Sequence, residues 1–531
     1  MDTRVLIVGA GPTGLMLANQ LGRRGVRPLL IDRHSGPAQQ TRAMAVQART
    51  LEIYAKLGIA QRALELGTVA HGANMWTQSR RQARIPVGDI GTSLSPFPFV
   101  LMLGQDDNER IMGEALREWG MDVQWNTELT GVEQHTDCVV ATLKQPDGTS
   151  RNVTAEWVTG CDGARSSVRE LCHIEFMGAP YEHVFFVADT VAIGDMVPDE
   201  LNVFLWKKGF HLFFPMRGQD RWRVIGILPG NLRERPDVGF DDVVPHVREA
   251  AGSRLTFRDC LWFSTYRIHH RSAGHFREGR CFLLGDAAHI HSPMGAQGMN
   301  TGLQDAYNLA WKLALVLNGQ ADDALLDSYE AERRPVAERL LRTTDRAFML
   351  IVADTPLAAL FRTQIIARVA AIAMRQERIR QLAFKTISQI GIRYRTSPLS
   401  RTLEGLPEEA PQAGDRFPWM KVRLGEEGPV EDLFDALDDL RFNLLLIGQA
   451  ANAQAPRSAG KLVKTLRISA DAVNQAALEG AHIPVPSFYL LRPDGHVGLA
   501  GTQLEPAAIS RYLNESHIRS GTARAVPMHA V

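Results

Sequence analysis

Hydrophobic and polar positions along the first seventy residues predict a strand, a helix and a second strand. Residues 5–8 form an uninterrupted apolar run, as is typical of a strand that is buried on both faces. Residues 15–25 carry apolar side chains at helical spacing and end at a glycine, which is a helix-stop signal. Residues 27–32 form a second apolar run that ends in an acid, and the pattern then stays helical to about Leu66.

The middle of the chain alternates with a period of two, which predicts a second sheet. Residues 73–103 are irregular and rich in β-forming residues, and residues 108–119 have a helical pattern. Residues 123–158 are typical of an antiparallel meander with a turn at 146–148. Further strands are predicted at 184–193, 201–214 and 222–228.

The last third of the chain changes pattern twice. A long helix is predicted at 302–317, and further helices follow to about residue 395. Residues 397–418 are rich in Pro, Gly and Glu, which predicts a linker. Beyond them the pattern predicts strands at 442–448 and 465–469, a hairpin of 488–492 with 496–500, and a helix after Pro506.

Composition narrows the class of protein. The chain has 531 residues, 45% of them hydrophobic and 22% charged, which is ordinary for a globular protein of about two to four domains. Lys and Arg number 59, and so do Asp and Glu, so the formal net charge is zero. This balance gives no support for a nucleic-acid partner or an anionic membrane partner.

The cysteines and apolar runs predict a cytoplasmic protein. The five cysteines are scattered and form no CxxC pair, which favours a reducing compartment and predicts no thiolate metal site. The apolar run near the N-terminus is too short for a signal peptide. Residues 350–374 are interrupted by charges and a proline, so no membrane span is predicted. Monomer and homodimer both remain open.

Three glycines between the first strand and the first helix predict a phosphate-binding turn. Gly9, Gly11 and Gly14 fit the pattern GxGxxG in the strand-to-helix context that gives it meaning. The first glycine permits a tight turn, the second lets the backbone approach a pyrophosphate, and the third lets the helix pack on the strand. The helix N-terminus then presents unpaired N–H groups to the phosphates.

Asp32, at the end of the second strand, predicts which nucleotide the turn holds. It follows Gly14 by 18 residues (32 − 14), a position from which a carboxylate accepts hydrogen bonds from ribose hydroxyls and disfavours a 2′-phosphate. Arg33, the next residue, is included in the predicted cofactor site. A glycine turn without any ligand is the simpler alternative, and the motif alone does not separate NAD from FAD.

Two distant segments resemble motifs of one family. Residues 161–169, CDGARSSVR, resemble the Asp–Gly motif of class A flavoprotein monooxygenases, the aromatic-ring hydroxylases. Residues 280–289, RCFLLGDAAH, resemble the second FAD motif of that family, and residues 293–306 continue the likeness. Over roughly residues 1–395 the chain is similar to para-hydroxybenzoate, phenol and polyketide hydroxylases. The resemblance therefore implies FAD at the glycine turn.

The resemblance also implies a fold and its domain limits. It implies an α/β protein with a Rossmann-like FAD-binding domain, an inserted β-sheet substrate domain and a C-terminal thioredoxin-like domain. The implied limits are 1–72, 104–178 and 268–396 for the FAD-binding domain, 73–103 and 179–267 for the substrate domain, and 397–531 for the last domain. Without a cysteine after Cys281, the last domain cannot perform disulfide chemistry.

The same resemblance implies FAD contacts beyond the glycines. Asp286 follows a strand end, from which it reaches the ribityl hydroxyls, and the turn before the 302–317 helix places N–H groups near the flavin pyrimidine, where they stabilise negative charge. The remaining family-implied contacts are Thr13 beside the pyrophosphate, Arg42 on the flavin or its phosphates, Gln105 near the ribose and ribityl chain, Leu129 against the adenine, Asp162 in the Asp–Gly motif, and Gly298, Met299 and Asn300 near the pyrimidine ring. Arg42, Gln105 and Leu129 also have ordinary structural interpretations: a solvated arginine, a helix cap and a core leucine.

The sequence defines the substrate-binding residues less clearly than the cofactor-binding residues. Alternation along residues 210–215 predicts that some of these side chains face a cavity, and His211, Phe213 and Pro293 are the candidate substrate contacts; Tyr266 is a further hydroxyl. Aromatic stripes on strands are more often core, and a lone histidine is more often structural. The acid that phenol hydroxylases place after the Arg42 segment is missing here, so no general base is predicted.

The activity implied by the resemblance is hydroxylation of an aromatic substrate through a C4a-hydroperoxyflavin, with NADH or NADPH as transient reductant and O2 as oxidant. The cofactor supplies the chemistry, and the protein supplies orientation and a dry cavity. FAD is expected to be noncovalent. Flavin halogenation is disfavoured because no WxWxIP pattern surrounds Trp222. Baeyer–Villiger oxygenation and a non-catalytic FAD-binding scaffold remain open as alternatives.

Overall fold

The computed structural model describes residues 1–38, 43–77, 79–88, 90–235, 237–252, 254–291, 297–352, 355–450, 452–456 and 459–519. Its strands, in chain order, are β1 (Thr3–Val8), β2 (Leu29–Ile31), β3 (Ala45–Val46), β4 (Thr68–Ala70), β5 (Gly72–Thr77), β6 (Arg80–Pro86), β7 (Val100–Met102), β8 (Val123–Gln124), β9 (Glu128–Gln134), β10 (Val139–Lys144), β11 (Ser150–Gly160), β12 (Phe176–Ile193), β13 (Leu201–Trp206), β14 (Gly209–Pro215), β15 (Arg221–Ile227), β16 (Thr256–Ala273), β17 (Arg277–Glu278), β18 (Cys281–Leu283), β19 (His289–Ile290), β20 (Arg401–Thr402), β21 (Lys421–Arg423), β22 (Val430–Asp432), β23 (Phe442–Ile447), β24 (Val463–Ile468), β25 (Ser487–Leu491) and β26 (Val497–Gly501).

The helices are, in the same order, α1 (Pro12–Gly22), α2 (Ala48–Leu57), α3 (Ala60–Leu66), α4 (Gln105–Glu118), α5 (Ser167–Leu171), α6 (Phe240–Ala251), α7 (Gly298–Leu317), α8 (Asp327–Val352), α9 (Pro356–Leu360), α10 (Ile366–Ala373), α11 (Glu377–Ile387), α12 (Leu433–Ala436), α13 (Ala472–Gly480) and α14 (Pro506–Glu515). The fold is thus mixed α/β, as predicted. In the described residues, no helix combines the length and the apolar character that crossing a lipid bilayer requires.

The first sheet is built around five parallel strands in the order β18–β11–β1–β2–β8. Val5, Leu6 and Ile7 in β1 are fully buried, which confirms the predicted two-sided strand, and α1 and α7 pack against each other beside it. The predicted meander is right for β9, β10 and β11, which pair antiparallel. Its first two residues were misplaced, because β8 pairs in parallel with β2.

The second sheet has eight strands in the order β19–β16–β12–β15–β14–β13–β5–β6. The predicted strands at 184–193, 201–214 and 222–228 are all in it, the second one split by a turn into β13 and β14. One face of this sheet is covered by α6, whose Val243 and Val247 share a buried cluster with Phe186 and Phe213. The other face turns towards β3 and β7, which form a separate three-stranded sheet with β4, because Phe214 packs against Met44, Ala45 and Met102.

The third sheet, in the order β20–β26–β25–β23–β24, confirms the strands and hairpin predicted near the C-terminus. The prediction of a linker at 397–418 was wrong in its physical character. Leu399 and Phe417 are buried, at 3% and 0% exposure, and β20 adds an edge strand to the sheet. Proline and glycine give this segment its irregular path, but its apolar side chains hold it on the sheet.

A buried group of charges joins the third sheet to α7 and α8. Glu332 in α8 accepts hydrogen bonds from Lys312 Nζ (2.8 Å), Ser397 Oγ (2.6 Å) and Arg492 Nη2 (3.0 Å). Arg492 also pairs with Asp494, which accepts from Trp311 Nε1 at 3.2 Å. Burial alone would raise the pKa of Glu332, but Arg492 and Lys312 lower it to about 2. The hairpin is therefore fixed to the helix that lies beside the glycine turn.

We expect Glu332→Gln to destabilise the fold by about 3–5 kcal/mol, because it leaves buried cations without their partner. Chemical denaturation with two spectroscopic probes measures this change. Glu515→Gln, which breaks an exposed pair with Arg401, is the control and should cost about 1 kcal/mol or less. Since the folded pKa of Glu332 lies below its ordinary 4.5, its stabilising effect is present above that pH and is lost as the pH falls towards 2. Equal effects of the two substitutions would contradict the assignment.

Candidate functional site

The glycine turn between β1 and α1 lies directly on the end of β11. Gly9 has φ +103°, and a Cβ there would lie 2.4 Å from the Cys161 carbonyl oxygen. A Cβ on Gly14 would lie 1.9 Å from the carbonyl oxygen of Gly9. A Cβ on Gly11, in contrast, would meet no atom within 4 Å. Two glycines therefore permit close packing, and the third leaves backbone open to a ligand at the start of a helix, where anions bind.

Asp32 fixes this turn to the end of β2. Its Oδ2 accepts a hydrogen bond from the Ala10 N–H at 2.8 Å, and its Oδ1 accepts from the His34 N–H at 2.8 Å. The side chain remains 13% exposed, so the carboxylate keeps lone pairs towards solvent or a bound ribose. The neighbouring Arg33 is exposed.

The second motif and α7 meet the glycine turn at Thr13. Gly285 has φ +59°, and a Cβ on it would lie 2.7 Å from Thr13 Oγ1. A Cβ on Gly302 would lie 2.5 Å from the same Oγ1 and 3.1 Å from the Gly285 Cα. Asp286 is exposed although residues 281–285 and 287–289 are all buried. The structure therefore brings together three segments that are far apart in sequence, with one carboxylate projecting from their junction.

The buried carboxylate of Asp305 holds the segments of this junction in place. Asp305 Oδ2 accepts from the Gly285 N–H at 3.0 Å and lies 2.8 Å from His289 Nε2, while Oδ1 accepts from Arg333 Nε at 2.6 Å. Arg333 also donates to the Thr301 carbonyl at 3.2 Å. Burial alone would raise the pKa of Asp305, but Arg333 and His289 hold it below its ordinary value. One ion pair thus fixes both the Gly285 turn and the first turn of α7.

The N-terminus of α7 presents backbone rather than side chains. The N–H groups of Gly298, Met299 and Asn300 precede the helix hydrogen bond from the Thr301 N–H to the Gln297 carbonyl. The Asn300 side chain is occupied elsewhere: its Oδ1 accepts from the Gln47 N–H, and its Nδ2 donates to the Ala45 carbonyl. The first turn carries no acid, so its positive end favours negative charge nearby.

Asp162 lies against the glycine turn, and only one of its two carboxylate oxygens is hydrogen-bonded within the described residues. Its Oδ2 accepts from the Ser167 N–H at 2.6 Å and so caps α5, and its Cα would be 2.7 Å from a Cβ on Gly9. Its Oδ1 is buried and has no hydrogen-bond partner among the described residues. Burial raises the pKa of Asp162. A buried acceptor of this kind fits a ligand that carries hydroxyl groups.

Some of the remaining predicted contacts lie in described helices or strands, and others lie outside the described residues. Gln105 begins α4 and donates to Glu109 Oε1 at 2.8 Å, and burial raises the pKa of Glu109. Leu129 in β9 is 3% exposed in the main core, consistent with the structural interpretation of that leucine. Arg42 and Pro293 lie outside the described residues. The sequence interpretation missed Glu109, whose Oε2 accepts from the distant Ala38 N–H at 3.1 Å, and Arg333, whose partner Asp305 is also distant in the chain.

His211 and Phe213 are not on the face that turns towards β3 and β7. Both lie on the face under α6, where the His211 ring stacks on Trp206 (5.6 Å between centroids) and lies tilted against Phe186 (5.8 Å). Burial lowers the pKa of His211 to about 3, so the ring is neutral at pH 7. The predicted alternation is present, and because a shift of one residue exchanges the two faces of a strand, the contact of His211 and Phe213 with the substrate stays a prediction.

The opposite face of the second sheet carries the half-exposed side chains. Leu212, Phe214, Ile225, Trp262 and Tyr266 lie on it and are all partly accessible. Burial raises the pKa of Tyr266 to about 12, so its hydroxyl is a proton donor at neutral pH. This face is a mostly apolar wall that turns towards β3 and β7.

Comparisons with known proteins agree on one family. A sequence profile described as FAD binding domain matches residues 2–344. The chain is 32% identical to 6-methylpretetramide 4-monooxygenase from Streptomyces rimosus, over 97% of this chain and 94% of that protein. The crystal structure of aklavinone-11 hydroxylase with FAD and aklavinone has TM-score 0.79 at 26% identity, covering 97% of this chain and 99% of the other. Anhydrotetracycline hydroxylase from Streptomyces rimosus has TM-score 0.76 at 27% identity, covering 99% and 100%.

We expect Gly302→Ala to weaken FAD binding by roughly ten- to a hundredfold, because its Cβ forces Thr13 and Gly285 apart and overpacking costs about 1–3 kcal/mol. Titration of the apoprotein with FAD measures this change. The control is Gly113→Ala in α4, also a helix-interior glycine, where a Cβ meets no atom within 4 Å. It should leave FAD affinity unchanged. If the two variants bind FAD equally well, the junction at Thr13 is not part of the site.

Proposed function

This chain belongs to the class A family of FAD-dependent aromatic hydroxylases and is an FAD-dependent monooxygenase, and from that premise we propose that it hydroxylates an aromatic substrate with electrons from NADH or NADPH. The observation that carries the proposal is the junction at Thr13, where the glycine turn, the Gly285–Asp286 turn and the N-terminus of α7 meet. The glycine turn and the Gly285–Asp286 turn carry two of the motifs on which the resemblance to the family rests, and residues 293–306 continue the second of them into α7.

Individual cofactor contacts follow from this junction. The open backbone at Gly11 and the N-terminus of α1 accept the pyrophosphate, Asp32 and Asp162 offer carboxylate oxygens to hydroxyl groups, and Asp286 projects towards the ribityl chain. The proposed cofactor-binding residues are Gly9, Gly11, Thr13, Gly14, Asp32, Arg33, Arg42, Gln105, Leu129, Asp162, Asp286, Gly298, Met299 and Asn300. When bound, FAD supplies the transfer of electrons from NAD(P)H to O2 and the activation of oxygen.

The protein's own contribution to the reaction is electrostatic and steric. The N–H groups at the start of α7 stabilise negative charge on the pyrimidine side of a reduced flavin. Asn300 holds β3 and α2 against that helix end through Gln47 and Ala45. The apolar face of the second sheet excludes water from the space between it and the junction.

The first, second and third sheets support a proposed domain division. We assign the first sheet and its helices to a Rossmann-like FAD-binding domain (1–72, 104–178 and 268–396), the second sheet to a substrate domain (73–103 and 179–267), and the third sheet to a thioredoxin-like domain (397–531). The similar proteins named for 6-methylpretetramide, aklavinone and anhydrotetracycline favour an aromatic polyketide as the substrate.

Asp286→Ala should weaken FAD binding by roughly ten- to a hundredfold, because a hydrogen bond to a charged group contributes about 1.5–3 kcal/mol. Equilibrium titration of apoprotein with FAD gives the affinity, and thermal unfolding of the apoprotein checks that the fold persists. Asp323→Ala, which removes another exposed carboxylate, serves as the control. Unchanged FAD affinity in a folded Asp286 variant would show that this carboxylate does not contact the cofactor.

The experiment that tests the proposed activity uses labelled oxygen. Purified FAD-loaded protein is incubated with NADH or NADPH, ¹⁸O2 and a panel of phenols and polyketide-like polycycles. We expect substrate-stimulated oxidation of the nicotinamide and one ¹⁸O atom as a new ring hydroxyl in the product. Insertion of ¹⁸O next to a carbonyl would indicate Baeyer–Villiger oxygenation instead. Unlabelled, unchanged compounds throughout the panel would favour a non-catalytic scaffold.

A further inference from the structure

A buried ion pair lies within the apolar wall formed by the second sheet. Arg223 in β15 donates from Nε to Asp189 Oδ1 at 2.7 Å and from Nη2 to Asp189 Oδ2 at 2.6 Å. The two residues are direct cross-strand partners on β12 and β15. The Arg223 side chain is 1% exposed and that of Asp189 is 14% exposed. A pair of charges in the middle of a mostly apolar surface needs a physical reason, because desolvating both ions is costly.

The register places this pair on the face that turns towards β3 and β7, and the Ala45 carbonyl in β3 accepts a hydrogen bond from Asn300 at the start of α7. Phe214 is the partner of Arg223 on β14, and Trp262 is the partner of Asp189 on β16. Directly opposite residues share a face of the sheet, so the four side chains form one row across four strands. The Arg223 Cζ lies 5.5 Å from the centre of the Trp262 ring. Phe214 also packs against Met44 and Met102, which identifies the face.

Arg223 has one donor that the ion pair does not use. Its Nη1 is buried and has no hydrogen-bond partner within the described part of the chain. An unsatisfied buried donor on a charged group costs free energy, and such groups are rare in folded proteins. The bidentate contact to Asp189 fixes the plane of the guanidinium and so fixes the direction of the free N–H groups. Arg223 Nη1 is therefore a positioned hydrogen-bond donor for which the described residues supply no acceptor.

We propose that Arg223 determines substrate specificity by donating from Nη1 to a phenolic or enolic oxygen of the substrate in its ionised form, with Asp189 as the positioning residue. This inference rests on the proposed function, since it names the substrate class of the same site. The half-exposed rings of Phe214 and Trp262 flank the pair and favour a flat aromatic ligand. An ionised oxygen also makes the ring more electron-rich, which suits attack on activated oxygen ortho or para to it.

The test compares two probes that differ only in the acidic hydroxyls. FAD-loaded protein is titrated with 1,8-dihydroxyanthraquinone and with 1,8-dimethoxyanthraquinone, and binding is measured from the perturbation of the visible spectrum. We expect wild type to bind the dihydroxy compound roughly ten- to a hundredfold more tightly, as for a hydrogen bond to a charged group. In Arg223→Met this preference should fall to within about threefold. Arg221→Met, an exposed arginine in the same strand, should keep the wild-type preference.

The double variant Asp189→Leu with Arg223→Met removes the ion pair without leaving a buried charge, and such replacements are usually tolerated. It should also lose the preference, which keeps the test decisive if Arg223→Met alone does not fold. A preference retained in the double variant, or equal affinity of wild type for the two probes, would overturn the inference. Failure of the proposed function has a different signature: an intact binding preference with no ¹⁸O in the product.

Discussion

The close approach of three backbone turns is the constraint on which the rest of this structure depends. Gly9 lies against the Cys161 carbonyl, and Gly285 and Gly302 both lie against Thr13. A side chain larger than hydrogen would collide with backbone at Gly9, and at Gly285 or Gly302 it would collide with the Thr13 hydroxyl. The same requirement that excludes side chains leaves backbone N–H groups at the junction, with the exposed carboxylate of Asp286 beside them. The binding chemistry of the site is therefore a consequence of how tightly its segments pack.

Buried ion pairs hold this junction in place from behind. The Asp305–Arg333 pair fixes the Gly285 turn and the first turn of α7 together. The Glu332–Arg492 pair fixes the hairpin of the third sheet to the same part of the fold. Each pair joins segments that are distant in sequence, so neither segment can shift without separating buried charges. The third sheet thus helps to hold α7 and α8 in place next to the site.

The predictable part of the site is the part encoded in local backbone requirements. Glycine spacing after β1 and the Gly–Asp step after β18 are visible in the sequence because each needs glycine at a defined position. The position of His211 and Phe213 under α6 was not predictable, because period-two alternation marks two faces of a strand without saying what covers each one. Arg223 was missed because its partner, Asp189, becomes a neighbour only through strand pairing. The prediction of a linker at 397–418 was wrong for a similar reason. Its apolar side chains are buried because they pack against the third sheet, and this contact is not visible in the local sequence.

We propose that the junction at Thr13 is an FAD site and not a site for a nicotinamide nucleotide. The most direct measurement is calorimetric titration of the apoprotein with FAD in the absence and presence of excess NAD⁺. We expect one FAD per chain with an affinity that NAD⁺ barely changes, because the nicotinamide nucleotide should not occupy the glycine turn. Competitive displacement of FAD by NAD⁺, or binding of NAD⁺ alone at one site per chain, would contradict it.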